Sequence, residues 1–211
     1  FHQAYGLSIL NSHLEVGAKI LLTDLPITDK EFWKLFKLKG VTSLAGVPNT
    51  WRILKGLKFE RMLLPNLNYV TQAGGKLDTS EIEWLTEIAK SNNFKLFIMY
   101  GMTEATARIS YYEPILMPSK IGSIGKSIPN GKIGIIDQQG KKINKSNSEG
   151  ELIYEGPNVM RGYAENLSDL ENDCNMNFLR TGDLGYFDDD NFFWLTGRIK
   201  RFIKISGYRF N

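Results

Sequence analysis

One short run near the middle of the chain carries residue types that could bind a nucleotide. In the stretch MYGMTEATARI, Tyr100 and Gly101 are closely followed by Thr103 and Glu104. A tyrosine ring can stack on a base, a threonine hydroxyl can donate a hydrogen bond to a phosphate oxygen, and a glutamate can hold Mg²⁺. Glycine allows a sharp turn and a close approach of backbone to ligand. The competing interpretation is a plain turn from strand to helix, with threonine as the cap.

Four further residues could complete such a site. In TQAGGKL, Gly74 and Gly75 follow an apolar run, where bare backbone could lie flat against a planar ligand, although a simple turn is the competing interpretation. Asp183, flanked by glycines in RTGDLGYF, could accept hydrogen bonds from ribose hydroxyls. Arg198, in GRIKRFIKISGYRFN, could donate to the same sugar or to phosphate.

The composition is that of an ordinary globular protein of one or two compact units. Of 211 residues, 42% are hydrophobic and 23% are charged. The formal net charge of +3 neither requires nor excludes nucleic acid. The single cysteine, Cys174, cannot form an internal disulfide, which favours a cytoplasmic location. No run approaches the ~20 apolar residues of a membrane span, and only His2 and His13 are available for a zinc cluster, which argues against one.

The first part of the chain alternates short apolar runs with helical patterns. Helices are predicted at residues 29–40, from Pro48 onward, and in DTSEIEWLTEIAKSNN, where Ser80 and Glu83 fit a capping box. This alternation predicts an α/β fold with a largely parallel sheet, which binds ligands at the carboxyl ends of its strands, where TQAGG and MYGMTE both lie. The predicted strands are AKILL (18–22), VTSLAGV (41–47), NYVTQAG (68–74) and KLFIMYG (95–101).

The second part, from about Ile121, consists of short strands separated by glycine and asparagine turns. Segments such as GSIGKSI, GKIGIID and GELIYEG predict a small antiparallel, β-barrel-like subdomain. The run DDDN lacks the spacings of a calcium loop and predicts a polar hairpin turn. We therefore divide the chain into an α/β subdomain at 1–118, a β-barrel-like subdomain at 119–197 and a hinge segment at 198–211.

Five motifs in order carry a resemblance to a known family: AGGKL, MYGMTEA, GELIYEGPNVMRGY, RTGDLGYFDDDNFFWLTGR and GRIKRFIKISGYRFN. Together they resemble the adenylate-forming, AMP-binding superfamily, closest to the acyl-CoA synthetases. That superfamily also includes the adenylation domains of non-ribosomal peptide synthetases and beetle luciferases. The chain starts without methionine and stops directly after a motif, so we expect a fragment of the large N-terminal domain.

The resemblance implies a two-step ligase. A carboxylic acid attacks the α-phosphate of Mg·ATP to give an acyl-adenylate and pyrophosphate, and a thiol then takes the acyl group. That thiol is coenzyme A or the phosphopantetheine of a carrier protein. In the enzymes that the chain resembles, the tyrosine matching Tyr100 stacks on adenine, the threonine matching Thr103 contacts phosphate, and the glutamate matching Glu104 helps to bind Mg²⁺.

The same resemblance implies roles for the other motif residues. The residues matching Asp183 and Arg198 hold the ribose, and the glycines matching Gly74 and Gly75 line the adenine slot. Lys200 matches the hinge on which a C-terminal lid domain rotates. Because the lid with its catalytic lysine and the upstream phosphate loop are both missing from this sequence, we predict that the 211-residue chain alone forms no adenylate.

The residues around His2 give the best indication of the substrate. Amino-acid-activating relatives typically have an aspartate there to pair with the substrate ammonium, whereas acyl- and aryl-CoA synthetases commonly read Phe-His, as this chain does. His2 therefore joins Thr103 and Glu104 as a candidate catalytic residue and is also a candidate for the substrate pocket. The favoured substrate is a carboxylic acid without an amino group. Met102 and Ala105 are candidates for lining the acyl pocket, with plain packing as the alternative.

The sequence departs from the family pattern at one position and leaves three other functions open. Many relatives have Asn or Gln where this chain has Ile98, so a contact of that amide with adenine is lost or made by backbone. The alternatives are an enzyme that loads a carrier protein, a non-catalytic nucleotide-binding module, and a nucleic-acid binder. The last is disfavoured because the basic residues after Arg198 alternate with apolar ones, as in a strand.

Overall fold

The computed structural model describes residues 3–171 and 178–199, together with the backbone at 203–205 and 208–210. His2, Cys174 and Lys200 lie outside the described residues. The helices are α1 (Ala4–Glu15), α2 (Lys30–Leu38), α3 (Pro48–Gly56) and α4 (Thr79–Asn92), with 3-10 helices at Phe59–Arg61, Thr103–Ala105, Pro118–Lys120 and Leu167–Glu171. The strands are β1 (Ser43–Gly46), β2 (Tyr69–Gln72), β3 (Lys95–Tyr100), β4 (Ser110–Tyr112), β5 (Lys126–Ser127), β6 (Lys132–Ile136), β7 (Gly150–Glu155), β8 (Leu179–Phe187), β9 (Phe193–Arg198), β10 (Ile203–Ile205) and β11 (Tyr208–Phe210).

The first sheet has five strands in the order β1-β2-β3-β4-β5. Strands β1, β2 and β3 are parallel, with Gly46 opposite Gln72 and Gln72 opposite Ile98, whereas β4 and β5 join antiparallel. The predicted α/β fold with a largely parallel sheet is confirmed, as are the strands expected within 41–47, 68–74 and 95–101. The carboxyl ends of three parallel strands therefore meet at one edge.

The strand predicted at AKILL is wrong. Residues 18–22 form no strand, and Leu22 is 68% exposed. An apolar run becomes a strand only where neighbouring backbone satisfies its N–H and C=O groups, and no described segment pairs with this one. The hydrophobic pattern detects the apolar character of the run but not the missing neighbour.

The capping box of α4 lies two residues before the predicted one. The helix begins at Thr79, and Asp78 in extended conformation precedes it. The backbone N–H of Asp78 donates to the carboxylate of Glu81 at 3.3 Å, and Arg52 of α3 donates to Glu81 at 2.9 Å. The Ser80–Glu83 box is therefore wrong, because the contact with Arg52 selects the earlier of two overlapping patterns.

The second sheet has four antiparallel strands in the order β6-β7-β8-β9, as predicted for this part of the chain. The DDDN run forms the turn between β8 and β9, where the Asp188 carboxylate accepts from the N–H groups of Asp190 at 3.0 Å and Phe192 at 2.9 Å. The hairpin turn is thus confirmed. The strand in GSIGKSI differs from expectation, because β5 pairs with β4 in the first sheet.

Two hydrophobic cores lie side by side. The first fills the space between α3, α4 and one face of the five-stranded sheet, and the second lies against the antiparallel sheet. The backbone of Ile124 donates to Phe193 at 2.8 Å, which joins the two sheets. Ala105 and Ile109 belong to the second core although the strand before them belongs to the first sheet, so the MYGMTEATARI segment links both units. None of the helices in the described ranges combines the length and apolarity that a bilayer crossing requires.

Candidate active site

The two glycine-containing motifs lie at the edge where the parallel strands end. β2 ends at Gln72, immediately before Ala73, Gly74 and Gly75, and β3 ends at Tyr100. The N-terminus of α3 lies beside them, since a Cβ at Gly74 would come within 3.0 Å of the Val47 side chain. Gly74 also has a φ of +78°, a conformation that side chains disfavour. The sequence therefore placed both motifs correctly relative to the sheet.

The buried side chain of Gln72 holds this glycine loop through a hydrogen bond. Its side chain is 1% exposed, and its carbonyl accepts from the Trp51 indole N–H at 3.1 Å. Its amide N–H donates to the backbone oxygen of Gly75 at 2.7 Å. A buried indole N–H without a partner is costly, so Gln72 couples the glycine loop to the packing of α3.

Replacing Gln72 with Met should therefore destabilise the protein with little change in volume. We expect the free energy of unfolding to fall by about 1–3 kcal/mol, because the Trp51 N–H loses its only described partner. Urea titration followed by tryptophan fluorescence measures this loss. The matched control is Gln139→Met on an exposed turn, which should stay within about 0.5 kcal/mol of wild type. Equal stability of the two variants would contradict the proposed coupling.

Close packing of backbone against backbone restricts the chain directly after β3. A Cβ at Gly101 would overlap the carbonyl oxygen of Ala107 and lie 2.6 Å from its carbonyl carbon. The chain then forms the 3-10 helix Thr103–Ala105 and passes through two left-handed residues, Thr106 at φ +47° and Ala107 at φ +75°. Such conformations are unfavourable for non-glycine residues and persist only where surrounding contacts impose them. Residue 101 must therefore be glycine because the chain folds back and places the backbone of Ala107 against it.

Asn158 and Tyr163 supply those surrounding contacts, and both escaped our choice of candidate residues. The Asn158 amide donates to the backbone oxygens of Ala105 at 2.6 Å and Arg108 at 2.8 Å, while its own carbonyl accepts from Tyr154. The Tyr163 hydroxyl donates to the Glu104 carboxylate at 2.7 Å. The only available signal was that both residues lie in the motif GELIYEGPNVMRGY.

Three predicted nucleotide-binding residues meet across the two sheets. The Tyr100 hydroxyl donates to one carboxylate oxygen of Asp183 at 2.6 Å, and Arg198 Nε donates to the other. Burial, reinforced by the Asp183 charge, raises the pKa of the Tyr100 hydroxyl above its ordinary value, so it stays protonated as a donor. The hydrogen bond to Asp183 likewise raises the pKa of the Arg198 guanidinium.

The antiparallel sheet fixes Asp183 and Arg198 relative to each other. They are direct cross-strand partners on β8 and β9, beside a register irregularity at Leu184 and Gly185. Ahead of Asp183, the Gly182 N–H donates at 3.2 Å to the carboxylate of Glu151, which also pairs with Arg180. Asp183 is 4% exposed, whereas half of the Arg198 side chain is exposed. Asp183 is therefore buried, whereas half of the Arg198 side chain is accessible to a ligand.

The remaining candidate residues differ in position. Thr103 is exposed and Glu104 is half-buried beside it, so both can be reached from outside. Met102 packs against the second core and Ala105 lies within it with no exposed area, so the structure favours plain packing over a pocket-lining role for Ala105. Ile98 is 7% exposed in the first core. The proposed roles of His2 and Lys200 stay predictions.

Comparison with known proteins assigns this arrangement to a family. A family model described as AMP-binding enzyme matches residues 1–164. The chain belongs to the AMP-binding enzyme family. It is 30% identical, over 99% of its length, to luciferin 4-monooxygenase from Luciola mingrelica, and 30% identical, over 96% of its length, to 2-succinylbenzoate–CoA ligase from Bacillus cytotoxicus.

The solved structures agree with this assignment. O-succinylbenzoate coenzyme A synthetase from Bacillus subtilis, in complex with ATP and magnesium ion, matches 98% of this chain with a TM-score of 0.77 and 25% identity. This chain spans 42% of that protein, and 38% and 40% of the two relatives. It thus represents under half the length of each of these members of its family.

The site of this AMP-binding family member fits a nucleotide with a hard cation. Arg198 engages Asp183 through Nε, so its terminal N–H groups can donate to a sugar or phosphate. Each Asp183 oxygen already accepts one hydrogen bond and keeps a second lone pair. Within the described ranges no three His, Cys, Asp or Glu side chains cluster. A single carboxylate, that of Glu104, is nevertheless consistent with the way proteins hold Mg²⁺, which is through one or two carboxylates together with substrate phosphates.

Proposed function

We propose that the protein carrying this chain is an ATP-dependent ligase that activates a carboxylic acid as an acyl-adenylate and passes it to the thiol of coenzyme A. The observation that carries this proposal is the contact of Tyr100 and Arg198 with opposite oxygens of Asp183 at the carboxyl ends of parallel strands. The names of the relatives, several of them CoA ligases, support the thiol acceptor. A carrier-protein phosphopantetheine is the alternative acceptor.

In this proposal each residue either positions part of the nucleotide or helps to neutralise the phosphate charge. The Tyr100 ring stacks on adenine while its hydroxyl is oriented by Asp183, and the Asp183–Arg198 pair holds the ribose. Gly74 and Gly75 present bare backbone to the adenine. Thr103 would donate to phosphate, and Glu104, oriented by Tyr163, would hold Mg²⁺, which when bound would supply positive charge to offset that of the ATP phosphates during adenylate formation. Catalysis of this kind depends on placing the two reactants together.

Two predicted features outside the described residues complete the proposal. The identity of residue 2 as histidine favours an acid without an ammonium group, and Lys200 is proposed as the hinge residue on the family resemblance. The division at 118 and 197 and the cytoplasmic location are proposed on the sequence evidence.

The deciding experiment is ATP–pyrophosphate exchange with the intact protein. The panel contains aliphatic, aromatic and dicarboxylic acids beside amino acids, with an acid-free reaction as the control. Exchange with non-amino acids, followed by acyl-CoA formation when CoA is added, is the expected result. Exchange only with amino acids would overturn the role of His2. AMP binding without exchange for any acid would favour a non-catalytic nucleotide-binding module instead.

A further inference from the structure

A cavity of about 820 Å³ lies beside the first sheet, on the face opposite the core formed with α4. The side chains of β2 and β3 alternate, so that Val70 and Leu96 enter that core while Thr71 and Phe97 line the cavity. Helix α1 and the segment at 19–23 form the opposite wall. The volume is enough for an organic acid of drug-like size.

The lining combines aromatic rings with positive charge. Phe32, Tyr69, Phe97 and Tyr111 provide flat apolar surface. The lining residues with basic side chains are His13, Lys19 and Arg108, and among the described residues that line the cavity none is an aspartate or glutamate. The cavity therefore suits a molecule with an apolar or aromatic body that carries negative charge.

Of these three side chains, that of Arg108 is the one with a buried nitrogen that has no hydrogen-bond partner among the described residues. Its Nε is buried and has no hydrogen-bond acceptor among the described residues. By contrast, His13 Nδ1 contacts the backbone oxygen of Ile9 at 2.7 Å, and Lys19 is exposed. A buried guanidinium N–H without an acceptor is costly and calls for an explanation, for which an anion from outside the chain is a natural candidate.

Hydrogen bonding and backbone geometry hold Arg108 in a defined position. Its backbone oxygen accepts from Asn158 at 2.8 Å, and the two left-handed residues Thr106 and Ala107 precede it. The contacts that hold the nucleotide motif therefore also fix Arg108, which lies four residues after Glu104. Across the cavity edge, the hydroxyl of Tyr5 contacts Thr71 Oγ1 at 2.8 Å. Burial raises the pKa of this hydroxyl and the nearby Arg108 charge opposes that rise.

We propose that Arg108 selects acids that carry a second anionic group. The substrate would be a dicarboxylic acid with an apolar or aromatic body: one carboxylate faces the nucleotide motif and is activated, while the other pairs with the Arg108 guanidinium inside the cavity. This inference rests on the proposed function for the activation step and names the substrate class of that same site. Arginine is suited to it because its fork of donors matches a carboxylate.

The test compares matched acids on the intact protein. Aromatic dicarboxylic acids are assayed by ATP–pyrophosphate exchange beside their monomethyl esters, which keep the shape but lose one charge. We expect kcat/KM for the diacid to exceed that for the ester, and Arg108→Gln to lower the diacid value about 30-fold or more, because it removes one partner of a buried charge pair. The loss should fall mainly on KM, and Arg108→Lys should recover part of it.

Controls separate a specificity role from a structural one. Lys141→Gln removes an exposed basic residue outside the cavity and should change kcat/KM less than about 3-fold. AMP affinity and the melting temperature should be the same in wild type and Arg108→Gln, because Nε makes no described hydrogen bond that the variant would lose. Equal kcat/KM for diacid and ester in wild type, or no change on Arg108→Gln, would overturn the inference and leave the proposed function standing.

A direct binding measurement keeps the two proposals separate. Calorimetric titration of the diacid into the intact protein without ATP should give binding that Arg108→Gln weakens about 30-fold or more. If this binding is present but no acid supports exchange, the proposed function fails while the anion site stands. If no diacid binds to wild type, the anion site itself is overturned.

Discussion

Gly101→Ala is expected to lower the melting temperature by ~6–12 °C, corresponding to about 3 kcal/mol for a protein of this size. The added methyl group would overlap the Ala107 carbonyl oxygen and lie 2.9 Å from the Arg108 Cα. These are backbone atoms, which cannot rotate away as a side chain could. The motif segment must then shift as a whole, and because it carries Thr103 and Glu104, nucleotide affinity should fall together with stability.

The matched control for this substitution is Gly56→Ala at the end of α3, where an added Cβ meets nothing within 4 Å. An alanine there should be neutral or stabilise by about 0.5–1 kcal/mol, since it reduces the freedom of the unfolded chain. Differential scanning calorimetry and a nucleotide titration on both variants measure the two effects. A Gly101→Ala protein that melts within 2 °C of wild type would show that the described close approach of the two backbone segments is wrong.

Asp183→Asn should weaken nucleotide binding by ~30-fold or more while leaving the protein folded. The amide is nearly the same shape as the carboxylate but offers only one accepting oxygen, whereas Tyr100 and Arg198 each donate to a separate oxygen. One donor must then face an NH₂ group, and the charge that holds Arg198 is lost. The stability cost should be smaller, about 1–3 kcal/mol, because half of the Arg198 side chain is in contact with solvent.

A fluorescent nucleotide titrated into the intact protein measures this effect. The control is Asp189→Asn in the turn of the same hairpin, where the carboxylate is exposed and accepts from Ser146. That variant should bind nucleotide as wild type does. If Asp183→Asn binds as tightly as Asp189→Asn, the contact between Tyr100, Asp183 and Arg198 has no part in the nucleotide site.

The sequence was sufficient for the features that depend on local pattern. The strands ending at Gln72 and Tyr100 were predicted because buried parallel strands are nearly continuous in apolar residues, and the glycine motifs follow them directly. The hairpin at Asp188 was predicted because its turn residues are local as well. The contact of Tyr100 with Asp183 and Arg198 needed the family resemblance, because no periodicity relates residues on different sheets.

The sequence was insufficient where distant residues decide the outcome. The AKILL run was predicted as a strand because its neighbours cannot be read from its own pattern, and the capping box was misplaced because Arg52 favours the earlier carboxylate pair. Asn158 was missed because its contacts with Ala105 and Arg108 span about fifty residues of chain. The unpaired Nε of Arg108 becomes visible only once the cavity around it is known.

The bond between Tyr100 and Asp183 closes a loop of 83 residues. Closing a long loop costs chain entropy before the contact returns any stabilisation, so contacts of this kind form late in folding. A chain in which both sheets had formed but not yet joined would keep most of its secondary structure and lack the site. A ligand that needs both sheets stabilises only the joined state. Nucleotide affinity would therefore report complete assembly of the two sheets, which circular dichroism alone would not detect.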